Sequence, residues 1–232
     1  MLIDSLTNKQ KILDHFLESC LFEGWSDKAL EEAFAKAEID IKFLPFIFEN
    51  GAADIADFFI NNIDDKMLEM AKDFDFETMK IRDKIKNLVK IRLKINQTFK
   101  PQIQKLITFY LKPQNSPLAF KSSYKTADLM WKIAGDNATD FNFYSKRMIL
   151  AKIYIRTLLS FSKDESINNQ KTLNLLDKEI EKVIKFTAFK FKVKNSCQKA
   201  SKILKKAANL KSDFKQNPKN FIKSLPFFRL YK

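Results

Sequence analysis

Glycine is nearly missing from this chain. Gly24, Gly51 and Gly135 are the three glycines in 232 residues, alongside six prolines. Both residue types make the tight turns between strands. An α/β or all-β fold would be starved of turns here, whereas an all-helical chain tolerates the shortage. Apolar residues make up 45% of the sequence, enough for a core. The length suits one large domain or two small ones.

Apolar spacing agrees with helices. Ile12, Leu13, Phe16, Leu17, Cys20 and Leu21 form one stripe over 9–23, closed by Gly24. Ser26 or Asp27 can cap a second helix to 37. A short third over 41–48 is interrupted by Pro45, and a fourth follows Gly51 over 52–64. Further helices are expected at 77–97, where Ile81, Ile85, Leu88 and Arg92 keep the period, and at 100–111, 118–134, 141–162 and 172–190. Loops fall at 112–117 and 162–170. Neither an internal repeat nor a strand pattern stands out.

The net charge of +14 is unevenly placed. Residues 186–232 hold thirteen Lys and Arg against Asp213, a charge of +12, while residues 1–64 hold five Lys against thirteen acids, a charge of −8. A basic tail points to a negatively charged partner. Three helices in about 45 residues ahead of a longer bundle resemble the layout of TetR-type regulators. The recognition segment "IKFLPFIFEN", 41–50, offers Lys42 and no Arg. Base readout and phosphate neutralisation both want cations or amides. DNA binding is therefore not expected of this head. A regulator with an unusual recognition helix, or a helical protein whose tail binds nucleic acid, are the alternatives.

Residues for chemistry are sparse. His15 is the one histidine, on the apolar side of the first helix, and reads as a core-edge or surface residue. A bundle-type di-iron site would need two Glu-x-x-His pairs. A phosphate loop, a nucleophile elbow and a zinc ligand cluster are all missing from the pattern. Asp136 and Asp140 could do acid–base work, but capping and pairing with Lys146 or Arg147 is the commoner use. No catalytic residue, cofactor site or metal site is expected. Cys20 and Cys197 are isolated, which fits two free thiols in a reducing compartment. The N-terminal residues lack the apolar core of a signal peptide, and no apolar run approaches the ~18–20 residues that cross a bilayer.

One segment departs from the generic helical text. "DLMWKIAGDNATDFNFYSKRMILAKIY", 128–154, carries a glycine, mixed charges and clustered aromatics. Gly135 and the short polar residues after it suit a helix–loop–helix connection. On the second helix Phe141 and Tyr144 share a face and Phe143 points elsewhere, so aromatic bulk lies on two faces. Met130, Trp131 and Tyr144 bordered by Arg147 have the composition of a docking anchor.

This segment resembles the signature of the ninth COQ protein family, accessory factors of ubiquinone biosynthesis. The family pattern Trp-x-x-Ala-Gly-Asp, then Asp-Phe-Asn-Trp-Tyr and a basic pair, is met by Trp131, Ala134, Gly135, Asp136, Asp140, Phe141, Asn142, Tyr144, Lys146 and Arg147. Weaker agreement covers 23–30, 51–59, Asp164, Ser166, Leu176 and Asp177, in all roughly residues 10–190. The resemblance implies a TetR-like fold that holds an isoprenoid or quinone lipid and presents ubiquinone precursors to a di-iron hydroxylase, the seventh COQ protein. It implies a partner patch at Met130, Asp140, Phe143 and Tyr144. Phe143 stands where the family usually has Trp; it keeps an apolar anchor and loses the indole N–H. Candidate lipid-pocket positions, on the apolar faces flanking the motif, are Phe120, Leu150, Tyr154 and Leu158.

In the tail, Phe186, Phe189, Val193, Cys197, Ala200, Leu204, Ala207, Leu210 and Phe214 are spaced 3, 4, 4, 3, 4, 3, 3 and 4. They make one helical stripe, flanked by Lys190, Lys194, Lys199, Lys205 and others. Such a helix lies in a membrane interface with lysines toward anionic head groups, and the family resemblance implies the same role. The expectation is thus an all-α, TetR-like bundle of about nine or ten helices. A helix-turn-helix-like subdomain would span 1–64, a lipid-binding bundle 65–190 and a basic amphipathic tail 191–232. The protein would be cytoplasmic, peripheral on the inner membrane. TetR-like folds often pair, which leaves a homodimer open.

Overall fold

The computed structural model describes residues 5–136 and 141–185. The chain divides into two units, Met1–Ile180 and Glu181–Lys232. Of the second, residues 181–185 are described; they are helical, with Lys185 paired to Glu181 one turn back. The tail positions Phe186, Phe189, Val193, Lys194, Leu204, Lys205, Leu210 and Phe214 lie outside the described residues, as do Asp140 and Cys197.

The first unit is all helical among its described residues. It runs α1 (Ser5–Glu23), α2 (Asp27–Lys36), a 3-10 turn (Ile41–Phe43), α3 (Leu44–Ile47), α4 (Ala52–Ala71), α5 (Ile81–Gln97) and α6 (Lys100–Tyr110). After a 3-10 turn (Pro113–Asn115) come α7 (Ser116–Ile133) and α8 (Phe141–Ser162). A last 3-10 turn (Ile167–Asn169) leads into α9, residues 170–180. α1 packs on α2 and α6, α4 on α5 and α7, and α8 on α6 and α7. Phe16, Phe34, Phe48, Phe59 and Phe161 are fully buried, each contributing about 2–3 kcal/mol by removal from water.

The head is locked by the segment after α1. Trp25 is buried, edge-on to Phe16 at 4.8 Å and against Phe59 at 5.6 Å. Its indole N–H donates to the Ala52 carbonyl at 2.9 Å. Ser26 caps α2 by accepting from Ala29 N. Asp27 reaches across and accepts from Ala52 N at 2.8 Å, capping α4. Gly51 has φ +54°, and a Cβ there would sit 2.3 Å from the Asp27 carboxylate, so only glycine lets that cap form.

Four boundaries differ clearly from expectation. α1 begins at Ser5 rather than 9. α4 runs to Ala71 rather than 64, because Asp64 points inward and is neutralised there instead of ending the helix. α5 starts at Ile81 rather than 77; residues 77–79 form a turn and Lys80 is extended. Ser116 and Pro117, expected in a loop, open α7, where proline at the first turn lacks only a bond that would be missing anyway.

α9 is capped from a distance. The Asp164 carboxylate accepts from Ser166 N at 2.9 Å and Oγ at 2.5 Å, and from Thr172 N at 2.8 Å and Oγ1 at 2.7 Å. Burial acts to raise its pKa, but the Ser166 and Thr172 bonds prevail and hold it well below the usual carboxylate range. Such a depressed group stabilises the fold above its unfolded value of ~3.9 and loses that contribution as pH falls through the folded value. Asp164→Ala should cost about 2 kcal/mol at pH 7. The gap between wild type and variant, read by urea unfolding, should narrow below about pH 4; a gap independent of pH would contradict this account.

Candidate functional site

Two buried ionic knots organise the bundle, and each borders a candidate site. The first joins α4, α5, α7 and α8. Arg92, on α5, is fully buried. Its guanidinium pairs with Asp64 and donates through Nε to the Tyr154 hydroxyl at 2.7 Å. Thr126 donates to the other Asp64 oxygen at 3.1 Å. Burial raises the Asp64 carboxyl above its ordinary value, against the pull of Arg92 and Thr126.

This knot forms one wall of a cavity of about 130 Å³ with an open mouth. The cavity lies among α4 (Phe59, Ile60, Ile63), α5 (Arg92, Asn96), α6 (Ile103, Leu106, Ile107, Tyr110), α7 (Ala119, Ser122, Ser123, Thr126) and α8 (Tyr154, Ile155, Leu158, Leu159), with Leu111 beside α6. Most of this lining is apolar. Tyr110 shares a hydrogen bond with Ser122 at 3.3 Å, and burial pushes its phenol up to about 12, so it stays neutral. Of the expected pocket positions, Tyr154 and Leu158 line the cavity. Leu150 is buried but outside the lining, and Phe120 is 48% exposed beside Tyr124 at 6.2 Å. Four residues separate Leu150 from Tyr154 on one face, so Leu150 sits one turn too early. Arg92, Asp64, Asn96 and Thr126 were not anticipated as site residues. The signal was Arg92 standing in the apolar register of Ile85 and Leu88, where a charge must be paired inside.

The second knot is the corner between α7 and α8. α7 ends in a Schellman motif: Gly135, at φ +86°, donates to Lys132 O, and Asp136 N to Trp131 O, both at 3.0 Å. Asp136 then pairs with Lys146 at 2.7 Å and Arg147 at 3.2 Å. Arg147 also reaches Asp128 at 2.5 Å and the Phe143 carbonyl at 3.0 Å, and lies 3.3 Å over the Phe143 ring. Burial opposes ionisation of both carboxylates, yet Lys146 and Arg147 lower the pKa of Asp136, and Lys132 at 2.7 Å together with Arg147 lowers that of Asp128. Asp136 is thereby an ion-pair anchor, as its spacing suggested.

The expected docking residues separate into two layers here. Met130 and Arg147 are buried and cannot themselves meet a partner on this surface. Tyr144 is 60% exposed, edge-on to half-buried Phe143 at 5.1 Å, with exposed Met148 one turn on. Trp131 is half-buried beneath the Lys146 ammonium, and its indole nitrogen has no hydrogen-bond partner among the described residues. The exposed layer is thus Tyr144 with Met148, and Arg147 lies buried beneath it. Elsewhere, no group of three or more His, Cys, Asp or Glu that could hold a metal occurs among the described residues. No helix among them is long and apolar enough to cross a membrane. His15 is half-buried. Cys20 is buried and free, its thiol pushed up to about 11 by burial.

Residues 116–187, which contain α7, the corner and α8, match the COQ9 family model. Curated relatives extend the likeness. The probable ubiquinone biosynthesis protein coq9, mitochondrial, of Dictyostelium discoideum is 24% identical over 78% of this chain and 61% of its own length. The ubiquinone biosynthesis protein COQ9, mitochondrial, of Rattus norvegicus is 26% identical over 74% of this chain and 57% of its own. The chain therefore spans about three fifths of the length of these relatives. In fold it is similar to a TetR transcriptional regulator from Nitrosomonas europaea, with a TM-score of 0.56 at 17% identity, covering 75% of this chain and 95% of that one. The all-α, TetR-like architecture is as the sequence implied.

The two layers of the corner behave differently on truncation. Arg147→Ala leaves Asp136 to Lys146 and Asp128 to Lys132, but removes a buried ion pair from each and empties the space under Phe143, and should cost about 2 kcal/mol. Tyr144→Ala, on the surface, should stay within about 0.5 kcal/mol. Urea midpoints read both, and similar losses would contradict the layering.

Proposed function

We propose that this chain is a non-catalytic accessory protein of ubiquinone biosynthesis that binds an isoprenoid or quinone-like lipid and presents it to a di-iron hydroxylase. The observation that carries the reading is the apolar cavity with an open mouth inside a chain whose residues 116–187 match the COQ9 family model. An apolar pocket with a few polar groups on one wall suits a long apolar ligand with a small polar head. The names of the relatives supply the pathway, and their mitochondrial location belongs to them.

The α7–α8 corner is the surface for the hydroxylase. Tyr144 and Met148 provide an aromatic and a flexible thioether on a rigid, ion-paired support. Membrane attachment falls to the stripe Phe186, Phe189, Val193, Leu204, Leu210 and Phe214, with Lys194 and Lys205 among its cations. A TetR-type regulator is the second reading, favoured by fold likeness. Against it, the recognition segment exposes Ile41, Phe43 and Phe46, and Lys42 is occupied by Asp40 at 3.3 Å.

Protein purified from a bacterium that makes ubiquinone should release a quinone or isoprenoid, in near-stoichiometric amount, on solvent extraction and mass spectrometry. An empty cavity that also takes up no lipid from vesicles would reject the carrier reading. Tyr144→Ala, with stability unchanged, should lose capture of the hydroxylase. Vesicles containing anionic lipid should float with the chain at low salt and release it at high salt, since each nearby lysine contributes about 1 kcal/mol. A Lys194→Glu, Lys205→Glu variant that floats as well as wild type would exclude the tail as the anchor.

A further inference from the structure

The cavity wall specifies more than an apolar occupant. Asn96 lines the cavity and is 1% exposed, and its amide oxygen has no hydrogen-bond partner among the described residues. A buried acceptor left unpaired is costly, and the group that relieves it must be a donor. Tyr154 lines the same cavity. Its oxygen accepts from Arg92 Nε, so its own proton is directed elsewhere. Arg92, Tyr110, Ser122 and Thr126 on the same lining already have protein partners. The acceptor of Asn96 and the donor of Tyr154 together match a group that both donates and accepts.

Charge narrows the choice. Among the described residues Arg92 is the one cation in the lining, and Asp64 already neutralises it inside the protein. An anionic head would have to compete with that carboxylate without water to screen the contest. A phosphate or carboxylate is therefore disfavoured. Size narrows it further. A volume of about 130 Å³ is near that of cavities which admit a single benzene ring, ~150 Å³. The ring of a prenylated ligand fits inside, and its tail must leave through the mouth.

We propose that Asn96 and Tyr154 form a head-group subsite that selects a neutral ring hydroxyl, a phenol or hydroquinone, over an anionic head or a fully oxidised quinone. The proposal rests on the lipid-binding reading above. A quinone offers acceptors alone and leaves Asn96 unsatisfied; a phenol donates to Asn96 and accepts from Tyr154. Asn96 is then a specificity residue rather than a general contributor to affinity.

The test uses the full-length chain, calorimetry and four probes with one geranyl tail: 2-geranylphenol, its methyl ether, geranyl-1,4-benzoquinone and geranyl diphosphate. The phenol should bind about tenfold tighter than the ether and the quinone, the factor that one buried hydrogen bond supplies. The diphosphate should bind weakest. Asn96→Leu should level phenol and ether while retaining affinity for the ether. Equal binding of phenol, ether and quinone to wild type, which needs no variant to fold, would overturn the subsite and leave the lipid reading standing. Preference for the diphosphate would overturn it as well. Binding of none of the four would sink the lipid reading and the subsite together.

Discussion

The contact between Arg92 and Asp64 is the constraint around which the bundle is arranged. A charge taken out of water costs several kcal/mol unless its partners are fixed. Here the partners come from three other helices: Asp64 of α4, Tyr154 of α8 and, through Asp64, Thr126 of α7. A slip of any one helix by a turn would leave a buried charge without its partner. Apolar packing alone tolerates such slips more readily, since methyl groups are nearly interchangeable. The knot therefore sets register where the phenylalanine core sets only proximity. It also borders the cavity, whose remaining wall comes from α6.

The knot at the α7–α8 corner applies the same physics to a surface. Arg147 is almost wholly enclosed, yet it sits directly under Phe143 and within one turn of Tyr144 and Met148. Its Nε donates to Asp128 and its Nη1 to Asp136 and the Phe143 carbonyl, a fork that lysine could not reproduce. The exposed aromatics thereby gain a fixed geometry and lose little entropy on meeting a partner. Aromatic anchors on a loosely held helix start would carry the same composition without the preorganisation.

Much of this was legible because it is local. Gly24, Gly51 and Gly135, the Ser26 cap and the helical stripes placed most helix ends within a few residues. What the sequence could not reveal is tertiary. Asp64 reads as a polar residue ending a helix, and only the presence of Arg92 on the next helix lets α4 continue. Phe120 and Tyr154 are both aromatic residues on apolar faces near the motif. Which of them meets the cavity depends on how α7 and α8 rotate about each other, and spacing within one helix does not encode that angle. The family resemblance and the Met, Trp and Tyr composition both point to Met130 as a surface anchor; helical neighbours lie about 100° apart, and here that turn carries Met130 into the core beside half-buried Trp131.

The head raises a different question: why a helix-turn-helix layout persists where DNA readout has so little to work with. α3 is four residues long, about 6 Å, and it shows solvent Phe46 rather than cations or amides. Yet Trp25, Asp27 and Gly51 tie this head to the start of α4 through an indole bond, a carboxylate cap and a glycine that admits it. α4 carries Phe59, Ile60 and Ile63 to the cavity and Asp64 to Arg92. The head thus fixes the beginning of the very helix whose far half completes the buried site. Losing a recognition surface costs this architecture nothing, whereas losing the Trp25–Ala52 contact would free α4 at its N-terminus and with it one side of the cavity. Retention of the layout follows from that mechanical role, whatever the head touches outside.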